Sequence, residues 1–364
     1  MGGAMNPSAR EGLCRLLVPR DGVPPVPDKA LWQAAVDEGV AACLWQRCRH
    51  DIDRRVTLPD DVRVELREHS MHLMLARQSL RTLLVGFAAA ACPVICLRGQ
   101  AVAQTVYDSP ALRGQNDIDL LVMPHHVNGA AMLLRQAGYM PTPVYPMLFE
   151  RGGMLVDLHV EPLGIERIRS WAYLTPLNTD DFFRHAVCGE LEGQEALLLP
   201  LRLHLPYLCF HALKHSFERL IWLWDIALMS RRVTAEEGWD DLVAGMCAYR
   251  LERPCFYALS YVQEHLGASV PEHVLAAIRP RMSRSEHRLF ERFMRHETVP
   301  FLAERLFARM MPNARMRAMF WYETVLPRRE VRQQVSDTTE YGIWHFIRKR
   351  IRQLLTALVD RRGG

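Results

Sequence analysis

The 364-residue sequence lacks long apolar runs and closely paired cysteines. Its longest apolar stretch, from Thr82 to Leu97, contains Pro93 and is shorter than the roughly 20 residues of a membrane helix. The nine cysteines include no Cys-x-x-Cys pair, and Met1 to Arg20 contains no apolar segment typical of a signal peptide. We therefore expect a cytoplasmic protein with reduced thiols, no zinc finger and no integral membrane contact.

The chain also has no large excess of charge of one sign, since it contains 45 basic and 41 acidic residues and its formal net charge is +4. Hydrophobic residues make up 49% of the chain, which is typical of a folded globular protein. The mild charge balance argues against a nucleic-acid partner, which favours a stronger basic field. The phosphate loop, the dinucleotide-binding glycine fingerprint and the nucleophile elbow are missing, so the enzyme classes built on them receive no support.

Apolar periodicity divides the chain into three regions. Residues 1–92 and 201–364 show helical spacing, whereas residues 93–200 alternate short β-rich runs with helices. We therefore predict an α+β fold, in which a small mixed sheet with helices forms a core flanked by an N-terminal helical region and a C-terminal helical domain. The predicted helices and strands include Ala30–Cys48, Pro59–Ala91, Val94–Leu97, Gln100–Tyr107, Asp117–Met123, Val127–Ala137, a hairpin of Val144–Glu150 with Met154–Val160, and a second hairpin over Cys188–Leu199.

Two carboxylates on one predicted strand are the first functional signal. Side chains alternate between the faces of a strand, so Asp117 and Asp119 project to the same side. Two negative charges on neighbouring positions of one face repel each other, and a divalent cation such as Mg²⁺ relieves that repulsion. The tripeptide Asp51-Ile52-Asp53 has the same spacing but no apolar strand behind it, which favours a solvated turn. A surface strand end is the alternative for the first pair.

Two further features strengthen the metal hypothesis. Asp157 lies within an apolar predicted strand, where an unpaired charge is costly and a metal shared with the first pair resolves the cost. Gly99 ends one predicted strand and opens a helix, so its backbone N–H groups are candidates to hold phosphate oxygens. This combination suits two-metal phosphoryl transfer.

At these positions the sequence resembles the DNA-polymerase-β-type nucleotidyltransferase superfamily, with a glycine turn, an Asp-x-Asp pair and a third acidic residue. It is more closely similar to a bacterial group named uncharacterised nucleotidyltransferase family proteins. The sequence departs from that group at Arg98, where lysine is usual, at Gln100, where a small residue is preferred, and at Val160, where tryptophan is usual. The matching elements are Leu97-Arg98-Gly99, Tyr107, Arg113, Asp117 to Val122, Gly138-Tyr139, Val156 to His159, His211, His215, Arg219-Leu220 and Asp225-Ile226.

The resemblance implies a nucleotidyltransferase that moves a nucleoside monophosphate from a nucleoside triphosphate such as ATP to a hydroxyl or phosphate acceptor. The acceptor would be a small molecule, a peptide or a protein, in a bacterial biosynthetic pathway. The alternatives are a toxin-like enzyme that modifies tRNA or protein, and a non-catalytic nucleotide-binding protein. Two Mg²⁺ ions, or Mn²⁺ in their place, would be bound by the implied catalytic residues Asp117, Asp119 and Asp157. The implied nucleotide-binding residues are Arg98, Gly99, Gln100, Arg113, Lys214 and Arg219.

Several of these residues have other interpretations. Arg113 can clamp phosphate or form a salt bridge that orients Asp117 or Asp119. Lys214 and Arg219 can reach the triphosphate or pair with nearby acidic residues. The secondary candidates could orient the site, bind zinc, contact the nucleotide or be satisfied in the core, and they are His159, His211, His215 and Asp225. Trp222 and Trp224 are expected in the core, with base stacking as the alternative. The basic segment 344–358 predicts an amphipathic helix, either solvated or in contact with an anionic membrane or partner.

Overall fold

The structure, a computed structural model, describes residues 7–18, 26–49, 57–165, 168–236 and 238–326. The Asp51-Ile52-Asp53 turn and the basic segment 344–358 predicted above lie outside the described residues. The strands are β1 (Val94–Cys96), β2 (Asp117–Val122), β3 (Met140–Pro141), β4 (Leu148–Arg151), β5 (Met154–His159), β6 (Val187–Leu191) and β7 (Gln194–Leu198). The helices preceding or lying among the strands are α1 (Pro7–Leu17), α2 (Lys29–Asp37), α3 (Ala41–Arg49), α4 (Asp60–Ala89), α5 (Gln100–Val106), α6 (Val127–Gln136) and α7 (Thr179–His185). The helices after the strands are α8 (Leu201–Lys214), α9 (Leu220–Glu236), α10 (Asp240–Ala248), α11 (Glu252–Leu266), α12 (Glu272–Ile278), α13 (Arg284–Met294), α14 (Leu302–Met310) and α15 (Ala314–Val325).

The N-terminal helices follow their local signals, with one correction. Asp28 caps α2 by accepting a hydrogen bond from the Leu31 backbone N–H at 2.7 Å. The continuous helix predicted over Ala30–Cys48 is wrong, because Gly39 adopts a positive φ of 75° and separates α2 from α3. The long predicted helix after Pro59 is confirmed as the 30-residue α4.

The seven strands form one mixed sheet in the order β3-β4-β5-β2-β1-β7-β6, which confirms the α+β prediction. Strand β2 pairs antiparallel with β1 and parallel with β5, and β1 also pairs parallel with β7. The hairpin over 188–199 is confirmed as β6 and β7. The strand predicted from residue 144 begins only at Leu148, and β3 is a two-residue strand that the sequence did not indicate.

The two faces of the sheet differ in character along β2 and β5. Ile118 and Leu120 point into a dry apolar layer together with Val156 and Leu158. Helices α4 and α6 cover this layer, with buried leucines, alanines and Phe87. The alternate residues of the same two strands, which include the three aspartates, lie on the opposite face. The sheet therefore has one face for packing and one face on which polar side chains lie.

Helices α8, α9 and α11 pack against one another on the carboxylate side of the sheet. The large apolar cluster there includes buried residues of α1, such as Leu13, of β1, such as Ile95, and of α14, such as Phe307. All three sequence regions contribute to this cluster, and their division into domains at residues 92 and 200 stays a prediction. Within the described ranges, none of the helices combines the length and the hydropathy required to cross a bilayer.

Candidate active site

The parallel register of β2 and β5 brings the predicted carboxylates together. Asp119 lies directly opposite Asp157, Asp117 lies opposite Leu155, and Leu121 lies opposite His159. Because alternate residues share a face, Asp117, Asp119, Asp157 and His159 all lie on the same side of the sheet. Two strands that are separated by more than thirty residues of chain therefore build one acidic patch.

Three side chains of this patch are close enough to share a cation. One ligand atom from each of Asp119, Asp157 and His159 lies within 4.8 Å of the other two. Asp119 is 4% exposed, whereas the side chain of Asp157 is 33% exposed. The carboxylate oxygens are ligands that Mg²⁺ and Mn²⁺ prefer, so the donor set fits the predicted metal.

His159 connects the two carboxylates. Its Nε2 donates a hydrogen bond to Asp119 Oδ1 at 3.0 Å and lies 3.3 Å from Asp157 Oδ2. An ionised carboxylate only accepts hydrogen bonds, so the proton is on Nε2 in this arrangement. His159 therefore orients both carboxylates here instead of offering Nε2 as a metal ligand.

The charges of the patch push the pKa values of its carboxyl groups apart. The negative charge of Asp119, followed by burial, raises the pKa of Asp117 to about 6. Burial also acts to raise the pKa of Asp119, but the Arg98 guanidinium and the His159 hydrogen bond outweigh it and hold that pKa well below its usual range. A bound cation would relieve the repulsion that raises the pKa of Asp117.

Arg98 places a positive charge beside the deepest carboxylate. Its Nη2 donates to Asp119, and its Nη1 lies within hydrogen-bond distance of both ring nitrogens of His211, 2.5 Å from Nε2 and 2.8 Å from Nδ1. The acceptor nitrogen requires that the His211 ring carry no proton there. Burial, followed by the nearby Arg98 charge, lowers the pKa of His211 well below its usual value and keeps the ring neutral. His211 therefore fixes the direction in which the guanidinium points.

The glycine turn follows Arg98 and is tightly packed. Gly99 has a positive φ of 60°, and a Cβ atom at this position would collide with the side chain of Gln115. Gln100 is completely buried, and neither its amide nitrogen nor its amide oxygen has a hydrogen-bond partner among the described residues. Gly99 lines the cleft, whereas Gln100, a predicted nucleotide-binding residue, does not belong to its described lining.

The patch opens into a cleft with a volume of about 620 Å³. Lys214 Nζ lies 5.4 Å from the ring centre of Trp171 and close to Gly164, at one wall of the cleft. Arg219 contributes a second half-buried cation to the lining. The sequence-predicted residues that line the cleft are Asp117, Asp119, Asp157, Arg98, Gly99, Arg113, His159, His211, Lys214, His215 and Arg219.

Arg113 reaches the cleft but is committed to a buried ion pair. Its Nη2 donates to Asp225 Oδ2 at 2.8 Å, and Tyr107 donates its hydroxyl to Asp225 Oδ1 at 2.6 Å. Arg113 is 6% exposed and Asp225 is 1% exposed. The pair links the loop before β2 to helix α9, so Asp225 holds Arg113 in position from behind the cleft.

Trp222 lines the cleft, although the sequence favoured a core position for both tryptophans of α9. Its ring centre lies 5.4 Å from that of His211 and 5.1 Å from that of His215. Trp224 is 7% exposed and packs in the large apolar cluster. Trp222 is half-buried and also packs against this cluster, so it combines the expected core contact with a face on the cleft.

A family model described as "uncharacterised nucleotidyltransferase" matches residues 24–267. The matched segment runs from the N-terminal helices through the sheet to the end of α11, and it contains every residue of the cleft named above. No curated protein and no solved structure matches the chain.

Proposed function

The chain belongs to the uncharacterised nucleotidyltransferase family, and on this premise we propose that it transfers a nucleoside monophosphate from a nucleoside triphosphate to an acceptor. The acceptor offers a hydroxyl or phosphate oxygen and is a small molecule, a peptide or a protein. The reaction depends on a divalent metal, Mg²⁺ or Mn²⁺, held by Asp117, Asp119 and Asp157.

The observation that carries this proposal is the register of β2 and β5, which sets Asp119 directly opposite Asp157. Asp119 is buried and the side chain of Asp157 is 33% exposed, and both residues line the cleft that a triphosphate would enter. The raised pKa of Asp117 shows the electrostatic cost of the arrangement without a cation. Paired carboxylates at such a cost are typical of metal-assisted phosphoryl transfer.

In the proposed reaction, an acceptor oxygen forms a bond to the α-phosphorus. The bond from the α-phosphorus to its bridging oxygen breaks, and pyrophosphate leaves with that electron pair. The acceptor proton is released to water at the open side of Asp157. When bound, the metal ions supply charge neutralisation at the phosphate oxygens and acidify the acceptor hydroxyl. The side chains of this chain bind the triphosphate, orient it and limit access of water.

The cationic residues of the cleft suit the triphosphate. Lys214, the last residue of α8, and Arg219, immediately before α9, line the cleft and are candidates to neutralise phosphate oxygens. Arg98 is held at Asp119 by His211 and can share its guanidinium with a phosphate. Trp222, with His215 beside it, offers a flat wall on which a nucleobase can stack.

The experiment is to incubate the full chain with each radiolabelled nucleoside triphosphate and Mg²⁺, and to measure pyrophosphate release and label transfer to added acceptors. Asp117→Asn and Asp119→Asn are expected to abolish both signals. Asp108→Asn is the matched control, since Asp108 is exposed and does not line the cleft within the described residues. Equal turnover in all four proteins would contradict the carboxylate assignment.

A second candidate function is a nucleotide-binding protein without turnover, and one contact favours it. The Arg98 guanidinium already neutralises Asp119, which competes with a metal for the same oxygen. Calorimetry separates the two functions. Binding of ATP with Mg²⁺ but no pyrophosphate release with any acceptor supports the binding protein, whereas measurable release supports the enzyme.

A further inference from the structure

The small net charge of the chain conceals two oppositely charged parts. Residues 1–267 carry 26 basic and 31 acidic residues, whereas residues 268–364 carry 19 basic and 10 acidic residues. The part that ends with the family match is therefore net acidic, and the part beyond it is strongly basic. The +4 balance that argued against a nucleic-acid partner thus averages over a C-terminal part with a positive field of its own.

Part of that charge lines a groove between α13, α14 and α15. The groove has a volume of about 460 Å³ and lies outside the segment that the family model matches. Its described lining contains no acidic residue. The lining residues are Ser285, Arg288, Leu289, Arg292, Arg305, Ala308, Arg309, Arg317 and Trp321. Five guanidinium groups thus share one concave surface, and binding of an anion would reduce the repulsion among them.

Two of the five arginines are held by the protein itself. Arg292 donates from Nε to Glu297 at 2.6 Å, and Arg317 donates from Nε to the Ala308 carbonyl at 2.9 Å. Arg288, Arg305 and Arg309 form no ion pair with any residue in the described part of the chain. These three have guanidinium groups available for a ligand, and guanidinium pairs bidentately with phosphate.

An aromatic residue completes the groove. Trp321 on α15 is 36% exposed and belongs to the lining, and the neighbouring Tyr322 is 64% exposed. Exposed indole next to guanidinium groups is the combination that binds single strands, because bases stack on the ring while phosphates pair with arginine. A bilayer surface does not match a concave groove, and in a single-stranded nucleic acid every unit carries both a phosphate for the arginines and a flat base for the indole, whereas acidic side chains supply only the charge.

We propose that α13, α14 and α15 form a docking groove for single-stranded nucleic acid. Arg288, Arg305 and Arg309 bind its phosphates, and Trp321 stacks on one base. The groove acts independently of the carboxylate cleft, since none of its residues lines that cleft in the described structure. Its contacts go to backbone and ring faces, so binding is largely independent of sequence.

The test measures fluorescence anisotropy of the full chain with a fluorescein-labelled oligouridylate of about 16 nucleotides. Titrations run at several salt concentrations between about 50 and about 200 mM. The test variant replaces Arg288, Arg305 and Arg309 with Gln. The control replaces three exposed arginines elsewhere, Arg67, Arg81 and Arg202, and so has the same net charge. Thermal unfolding verifies that both triple variants fold like the parent.

The parent is expected to bind, with an affinity that falls steeply with salt. The groove variant should bind at least about tenfold more weakly, and its slope of log affinity against log salt should be about 2 less negative, since three phosphate contacts are lost. Trp321→Ala should lose about tenfold in affinity with little change in that slope. The control should resemble the parent.

Equal loss in the groove variant and the control would overturn the proposal, because the effect would then follow from net charge alone. Absence of binding by the parent at about 50 mM salt would overturn it as well. Displacement of the RNA by polyglutamate at equal charge concentration, together with an unchanged affinity of Trp321→Ala, would assign the groove to an acidic protein instead. Nucleotide turnover has no part in any of these outcomes.

Discussion

The two faces of strands β2 and β5 share one backbone but carry different kinds of side chain. On one face, Leu120 and Leu158 are buried in an apolar layer beneath α4 and α6. On the other, Asp119 and Asp157 face each other across the same pair of strands. The difference teaches that alternation along one strand can place a packing residue next to a residue of the proposed active site. Substitutions at neighbouring positions should therefore affect different measurements.

The largest expected effect is on the carboxylate face. Asp157→Asn removes one negative ligand of the proposed metal site, and loss of several kcal/mol of transition-state stabilisation lowers turnover by about 10³-fold. The half-exposed side chain contributes little to packing, so the free energy of unfolding should remain close to that of the parent. Single-turnover kinetics and chemical denaturation check the two parts. If Asp157→Asn had normal turnover and reduced stability, the proposed difference between the two faces would be wrong.

The buried ion pair behind the cleft gives the next effect. Asp225→Ala leaves the Arg113 guanidinium buried without its carboxylate, and breaking a buried pair in this way costs about 3 to 5 kcal/mol. Urea denaturation should show this loss of stability. In the double variant Arg113→Met with Asp225→Ala, most of the loss should be recovered, because no unpaired charge remains. A double variant as unstable as the single one would contradict the account.

The apolar face should respond in stability alone. Leu158→Ala removes a side chain that is 2% exposed, and such truncations cost about 2 to 5 kcal/mol. Turnover per folded molecule should remain within about twofold of the parent at temperatures where the variant is folded. Denaturation and active-site titration measure the two quantities. A loss of turnover as large as that of Asp157→Asn would mean that the two faces are not separable.

The pH dependence of stability should reveal the contact between α8 and the sheet. His204 is buried, donates from Nε2 to the Leu97 carbonyl at 2.9 Å, and has its pKa lowered to about 4, chiefly by burial. The unfolded chain binds this proton near pH 6.5, so stability is lost as pH falls from about 6.5 to about 4, by up to about 3 kcal/mol. Denaturation curves across this range test it. In His204→Gln the loss should be smaller by that amount, and identical curves would contradict the assignment.

The smallest expected effect concerns the aromatic wall of the cleft. Trp222→Ala should weaken binding of ATP by about 1 to 2 kcal/mol, or roughly tenfold, through lost stacking. Trp222→Phe should retain most of the affinity because it keeps a flat ring. Calorimetry with the nucleotide and Mg²⁺ measures the constants. The control is inorganic triphosphate, which has no base. If it binds the parent as tightly as ATP does, the base makes no contact with Trp222.

Local patterns were sufficient for much of the fold. The strand over 117–122 and the helix after Pro59 follow from periodicity, since burial on one side of an element selects apolar residues at its own repeat. The break at Gly39 was missed because an isolated glycine within a helical pattern is ambiguous. The two-residue β3 is too short to leave any periodic signal.

In the candidate site, too, the features that depend on neighbouring residues were predictable, and those that depend on residues distant in the chain were not. Alternation alone puts Asp117 and Asp119 on one face, and apolar neighbours alone mark Asp157 as unusual. The partner of Arg113 was not among the interpretations, because Asp225 is 112 residues away and nothing local links the two. For Trp222 the sequence favoured the core and kept base stacking as the alternative, and the residue both packs against the large apolar cluster and lines the cleft, which other elements help to build.

By itself, the sequence determined the order of most helices and strands, the face on which each carboxylate lies and the membership of a nucleotidyltransferase family. These depend on side chains close together in the chain or on a series of residues that a family model matches. Only the tertiary structure decided that β5 pairs parallel with β2, that His211 aims Arg98 at Asp119, and that three C-terminal helices bring five arginines into one groove. Such contacts join residues far apart in the chain, and their geometry is set by how whole elements pack.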